Sequence, residues 1–168
     1  MGPEDRPARP LYTPAERQRR DASPWTFVQG VLAPVQFAIF LVSVVLVLRA
    51  LVSGQGQGVA EFSVVVKTLA LYAIMVTGSI WEKAVFGRWL FAPAFFWEDV
   101  VSMLVLALHT AYLAALAAGA LDGQALLLLA LAAYATYVIN AGQFLLKLRA
   151  ARLEGAGRPA PRLVEALP

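Results

Sequence analysis

The segment from Trp81 to Asp99, WEKAVFGRWLFAPAFFWED, holds three carboxylates (Glu82, Glu98, Asp99), two cations (Lys83, Arg88) and three of the chain's four tryptophans. It joins two strongly apolar runs. Ionisable groups at membrane depth are costly and are usually kept for a task. Several carboxylates in one dry place can divide labour, one holding a proton as a general acid while another stays ionised. Such a set suits proton transfer or the acid-assisted addition of water.

Asn140 and Gln143 lie near the same end of the last apolar run, so Glu82, Glu98, Asp99, Asn140 and Gln143 converge from three runs. Each alone has a plain structural use. Glu98 and Asp99 open a helix, where the dipole favours negative charge. Glu82 beside Lys83 makes an interfacial ion pair of little energy. His109, the single histidine, stands eleven residues after Glu98. That puts it on nearly the same helical face, about 16 Å further along, with Ser102 between them. It can ligate a metal, move a proton, or hydrogen-bond a neighbouring helix. Lys67 is expected to snorkel towards the outer surface.

The elements that carry these residues follow from composition. The 168 residues are 60% hydrophobic and 15% charged, against about 45–50% and 25% for a soluble domain. The solvent is therefore lipid. Four runs, at about 25–51, 59–81, 94–118 and 124–146, reach the roughly 20 residues that a bilayer needs. The fold class is all-α, a polytopic membrane protein with four transmembrane helices. Residues 1–24 read as a cytoplasmic N-terminal segment, 25–147 as the transmembrane domain and 148–168 as a flexible cytoplasmic tail. Ser23-Pro24 reads as an N-cap with proline at the first helical position. Pro34 is expected to kink the first span, whose Gln29 and Gln36 share a face. GQGQG at 54–58 reads as a turn. The start lacks the charge order and cleavage site of a signal peptide.

Arg6, Arg9, Arg17, Arg19 and Arg20 precede the first span, Lys83 and Arg88 follow the second, and Lys147, Arg149, Arg152, Arg158 and Arg162 close or follow the fourth. The positive-inside rule then places both termini in the cytoplasm. All four tryptophans (Trp25, Trp81, Trp89, Trp97) fall on that side, which fits interfacial anchoring or the docking of a flat ligand. The chain has no cysteine, which excludes iron–sulfur clusters, thiolate zinc and cysteine nucleophiles. One histidine excludes a bis-histidine haem within one chain. The net charge of +3 is small and carried at the chain ends, so nucleic acid is not an expected partner. An enzyme, an exporter and a structural subunit remain open. Exporters of this size place an acid in the first span, which here offers Gln29, Gln36 and Ser43.

Three stretches are distinctive: LYTPAERQRRDASPWTFVQGVLAPVQF at 11–37, VVVKTLALYAIMVTGSIWEKAVFGRWLFAPAFFWEDVVSMLVLALHTAYLAAL at 64–116, and YVINAGQFLLKLRAARL at 137–153. They resemble the 3-vinyl (also called 2-vinyl) bacteriochlorophyllide hydratase family of purple phototrophic bacteria. The resemblance implies a hydro-lyase that adds water across the C3 vinyl group of chlorophyllide a or 3-vinyl bacteriochlorophyllide. The product is a 1-hydroxyethyl group in bacteriochlorophyll biosynthesis, which a separate dehydrogenase oxidises. It implies the inner membrane, cytoplasmic or intracytoplasmic, and no cofactor beyond the substrate's own magnesium. It brings no residue roles.

Those roles are read from the residues. Glu98 or Glu82 donates the proton, Asp99 orients water or steadies the cation, and Asn140 and Gln143 fix the water. Trp81, Trp89, Phe95, Phe96 and Trp97 stack on the macrocycle, and Lys83 or Arg88 holds its propionate. His109 ligates the substrate magnesium or acts near it. An 18.1 kDa bundle is thin for a tetrapyrrole, which points to a homo-oligomer. The competing reading is a non-catalytic tetrapyrrole carrier or assembly factor, which would use the aromatics and His109 but not the acids.

Overall fold

The computed structural model describes residues 11–156. Among them are five helices and no strand: α1 Pro14–Ala22, α2 Pro24–Ser53, α3 Gln57–Phe86, α4 Phe96–Ala118 and α5 Gly123–Ala156. Helices α2 to α5 are each long and apolar enough to cross a membrane. They form two hairpins, α2 against α3 and α4 against α5, packed together more sparingly. Bulky apolar side chains such as Phe27, Val42, Val52, Phe62 and Leu145 stay exposed along the outside, as a lipid solvent requires. The described chain starts and ends at one end of the bundle, called here the proximal end.

Several local expectations meet their physical cause. Ser23 caps α2, with Pro24 opening it, although the serine side chain makes no capping hydrogen bond. α2 runs unbroken through Pro34. In the GQGQG turn, Gly54 and Gly56 both take positive φ, a region open to glycine at little cost. α3 continues past Trp81 to Phe86 and stops at Gly87, whose φ of 79° forms a left-handed cap. α5 continues to Ala156, so the first residues of the expected tail are helical. The rest of that tail, with Arg158 and Arg162, lies outside the described residues, as do Arg6 and Arg9.

Helix α1 has no apolar run. It is built on a capping box, with the Thr13 hydroxyl accepting from the Glu16 N–H and the Glu16 carboxylate accepting from the Thr13 N–H. The Arg19 guanidinium donates to the Val85 carbonyl at 2.7 Å, tying α1 to the end of α3. Tyr12 is buried with Val85 and Phe95 in a small aromatic cluster that also takes in Trp81, Phe86 and Phe144.

The main core joins Phe40, Val47, Val64, Leu71, Val105, Tyr112, Leu126 and Tyr134. Polar groups run through it. The Ser43 hydroxyl bonds to Ser63 at 2.7 Å and to Tyr134 at 2.5 Å, linking α2, α3 and α5. Lys67 does not snorkel. It is fully buried, and its ammonium sits 3.8 Å from the centre of the Tyr137 ring with no hydrogen-bond partner. Lys67 faces the bundle axis with Ser63, Val64 and Leu71, so the side chain has no outward path. The aromatic face supplies the attraction that water would have given.

A buried polar head without a hydrogen-bond partner costs stability. Lys67→Met keeps the stem and removes that head, so it is expected to melt at or above the wild-type temperature in detergent. A loss of about 2 kcal/mol or more would show instead that the ammonium is fully compensated.

Candidate functional site

Three acids are buried together at the proximal end, although each belongs to a residue type that prefers water. Glu82, Glu98 and Asp99 are 5%, 6% and 4% exposed. Glu82 comes from the last turns of α3, and Glu98 and Asp99 from the first turn of α4. The loop between the helices folds back over them. The Ala92 N–H donates to Glu82 Oε2 at 3.1 Å, and the preceding Phe91 N–H donates to Asp99 Oδ2 at 2.7 Å. Two successive amides thus hold two carboxyl groups. Aiming them requires Phe91 to adopt a φ of 58°, a strained value for a bulky residue and typical of places where backbone geometry serves a site.

The two consecutive amides bring the buried Glu82 and Asp99 carboxyl groups side by side under the loop. Two carboxyl groups held this way out of water can divide labour, one keeping a proton while the other stays a carboxylate.

Glu98 is held differently. Its Oε2 pairs with the Lys147 ammonium at 2.5 Å. The same ammonium donates to the Ala94 carbonyl and lies 5.1 Å from the centre of the Phe95 ring. The Glu98 backbone carbonyl accepts from Asn140 Nδ2 at 2.9 Å, and Asn140 Oδ1 accepts from the Ser102 hydroxyl at 3.1 Å. Asn140 therefore spends both ends of its amide on fixing α4 against α5. The side-chain oxygen of Gln143 is buried with no hydrogen-bond partner.

The structure brings Glu82, Glu98, Asp99 and Asn140 together, as their spacing suggested. It does not bring His109 to them. His109 is fully buried about 16 Å further along α4. Its Nδ1 donates to the Val105 carbonyl at 2.8 Å, its ring packs 5.8 Å from that of Tyr134, and Nε2 has no partner. Lys67 is its charged neighbour. No Glu82–Lys83 ion pair forms. Lys83 instead donates to the Gly87 carbonyl at 3.0 Å, capping α3, and lies 5.8 Å from the Trp89 ring. Arg88 is exposed.

The aromatics divide into two groups. Trp81 donates to the Thr26 hydroxyl at 2.9 Å and packs against Phe86 and Phe95, and Phe95 is buried against Tyr12 and Phe144. Trp89, Phe96 and Trp97 stay exposed, at 59%, 44% and 68%. Phe91 packs on Phe96, and Phe96 on Trp97, so this outward lip continues from the loop covering the acids.

From sequence, Lys147 counts only towards topology and has no place in the site, yet it stands seven after Asn140 and four after Gln143 on one helical stripe. That spacing was the available signal. The Phe91 and Ala92 amides gave none, because a backbone N–H is the same in every residue but proline.

Four lipid-facing helices closing over a buried cluster of acids define a polytopic membrane protein with an internal carboxylate site. The family described as 2-vinyl bacteriochlorophyllide hydratase (BCHF) matches residues 12–150. The chain is 61% identical over 162 residues to the 2-vinyl bacteriochlorophyllide hydratase of Rhodobacter capsulatus, covering 96% of this chain and 94% of that one. It is 62% identical over 148 residues to the protein of the same name from Cereibacter sphaeroides, covering 88% and 92%. The chain belongs to the 2-vinyl bacteriochlorophyllide hydratase family, whose members are hydro-lyases. No solved structure matches it.

The loop bonds can be tested by stability. Asp99→Asn keeps an oxygen for the Phe91 N–H and gains a donor towards Glu82, so near-native melting is expected. Asp99→Leu strands a buried amide and is expected to cost about 1–3 kcal/mol. Equal melting of the two variants would show that this bond does not hold the loop.

Proposed function

We propose that this protein hydrates the C3 vinyl group of a chlorophyllide or 3-vinyl bacteriochlorophyllide to 1-hydroxyethyl, and that the Glu82–Asp99 pair supplies the proton. The observation that carries the mechanism is the pair of buried carboxyl groups held by two consecutive loop amides. The names of the relatives support the substrate class.

The chemistry follows from the charge at each step. The shared proton moves to the terminal vinyl carbon, and the π pair of the double bond forms the new C–H bond. The adjacent carbon becomes a cation that the macrocycle delocalises. The pair, now one negative charge richer, faces that cation and stabilises it. Water attacks the cation and gives its proton to the pair, which restores the starting state. Gln143, whose buried Oε1 has no other hydrogen-bond partner, is the residue assigned to orient that water. No redox step occurs, and the only metal required is the magnesium that the substrate carries.

The exposed lip of Trp89, Phe96 and Trp97 offers stacking faces for a flat macrocycle beside the loop. Lys83 and Arg88 stand where a propionate at the membrane surface would meet a cation. The distribution of Lys and Arg favours a cytoplasmic proximal end, and with it an inner-membrane location. His109, enclosed beside Lys67 and Tyr134, is assigned to the bundle core and not to the substrate magnesium.

Incubation with chlorophyllide a, and in parallel with 3-vinyl bacteriochlorophyllide, in oxygen-18 water tests the function. Gain of one labelled water at the vinyl group is expected for one or both. Pigment bound but unchanged in both reactions would overturn the reading in favour of a carrier. Glu82→Gln is expected to bind pigment normally and to lower kcat about 10²- to 10⁴-fold, the range of a lost general acid. Wild-type turnover in that variant would remove Glu82 from the proton step.

A further inference from the structure

Three acids are buried together at the proximal end, but they are not equivalent. Glu98 is fixed at both ends, by Lys147 on its carboxylate and by Asn140 on its backbone carbonyl. Among the described residues, Lys147 is the cation in contact with this cluster. Its stem descends from α5 past the Phe95 ring, and its ammonium closes onto the Ala94 carbonyl just before α4 begins. It thereby ties the loop that carries the Phe91 and Ala92 amides to the helix that carries Asn140 and Gln143.

We infer that Lys147 is a positioning residue for the hydration. By keeping Glu98 as a paired carboxylate and anchoring the loop, it leaves the Glu82–Asp99 pair as the place where the cluster's mobile proton resides. This inference rests on the hydratase reading and deepens it. The charge balance is simple. With Lys147 present, one lysine offsets Glu98, and the remaining pair carries one proton and one negative charge. Without it, Glu98 becomes a buried, unpaired carboxylate next to Asp99. Like charges at that range cannot all stay ionised in a dry site. Glu98 then competes for the proton that Glu82 and Asp99 share, and the donor no longer resides where the loop amides aim it. The charged groups around Glu98 are Lys147 from α5, bonded to it, and its α4 neighbour Asp99, with Glu82 from α3 held beside Asp99 by the next loop amide.

Lys147 does not need to touch the substrate for this role, which separates it from a propionate-binding cation. A substrate-holding lysine would act on KM and would not depend on Glu98. A purely structural lysine would act on folding and leave the pH profile in place.

The test is a charge-matched series on the full chain in detergent or liposomes: wild type, Lys147→Arg, Lys147→Met, Glu98→Gln, and the Lys147→Met/Glu98→Gln double variant. Each is assayed for water addition across pH, with pigment binding and melting measured alongside. Lys147→Met is expected to lower kcat about 100-fold, the scale of misplacing a catalytic group, with KM little changed and the pH profile displaced. Lys147→Arg is expected to retain most activity, since it keeps the charge. The double variant is expected to recover at least tenfold over Lys147→Met and to regain a wild-type-like pH profile, because no orphaned carboxylate remains.

Three results would overturn the role: a double variant as impaired as Lys147→Met, an unmoved pH profile, or a loss confined to KM. If Lys147→Met fails to fold, Lys147→Arg and the double variant still decide, since both retain a balanced Glu98 site. A wild type that adds no water overturns the hydratase reading itself, and this role with it, which is a different result from an active wild type with an indifferent Lys147.

Discussion

Burying three carboxyl groups with one paired lysine is costly, and the proximal half of the molecule is arranged around that constraint. Glu98 takes the lysine. Glu82 and Asp99 lie side by side under the loop. Two consecutive amides complete their coordination at the cost of a left-handed Phe91. The same loop is anchored from below by Lys147 on Ala94 and begins at the Gly87 cap that ends α3. An apolar loop would cover the acids but could not hold them, and an open loop would let water screen them.

The bundle keeps this acid cluster separate from a second polar region in its core. Ser43, Ser63 and Tyr134 link three helices by hydroxyl contacts, and Lys67 and His109 lie fully buried beside them. Side-chain hydrogen bonds between membrane helices add modest stability each, but they fix which faces meet, which apolar packing alone leaves permissive. The His109–Tyr134 ring contact joins α4 to α5 there, and nearer the acids on the same two helices Ser102 meets Asn140 and Asn140 meets the Glu98 carbonyl. Core and site are thus parts of one alignment problem: where α4 and α5 sit along each other decides whether the acids face the loop.

The sequence was most informative where hydropathy and charge speak directly. Four apolar runs are visible because a lipid solvent demands them, and the convergence of Glu82, Glu98, Asp99 and Asn140 followed from which ends of those runs share a side. Helix ends were less legible. α3 passes Trp81 and α5 passes Leu146 because polar residues at a membrane border continue a helix without announcing it. Helix α1 has no apolar run, and its signal was the Thr13–Glu16 capping box. Lys67 looked like a snorkelling residue because spacing gives depth but not the partner beneath a side chain, here the Tyr137 ring. The fate of Lys83, turned to the Gly87 carbonyl instead of Glu82, and the loop amides on the acids are tertiary facts with no residue-type signature.

The central claim is that the Glu82–Asp99 pair holds a proton in the resting protein. Infrared spectroscopy of the membrane-embedded protein at neutral pH reads this directly, through the carbonyl stretch of a protonated carboxyl group. A band from a buried, protonated carboxyl is predicted, lost or shifted in both Glu82→Gln and Asp99→Asn but retained in Glu98→Gln. Absence of the band in the wild type, or its survival in both pair variants, would mean that the pair holds no proton, and the account of the site would be wrong.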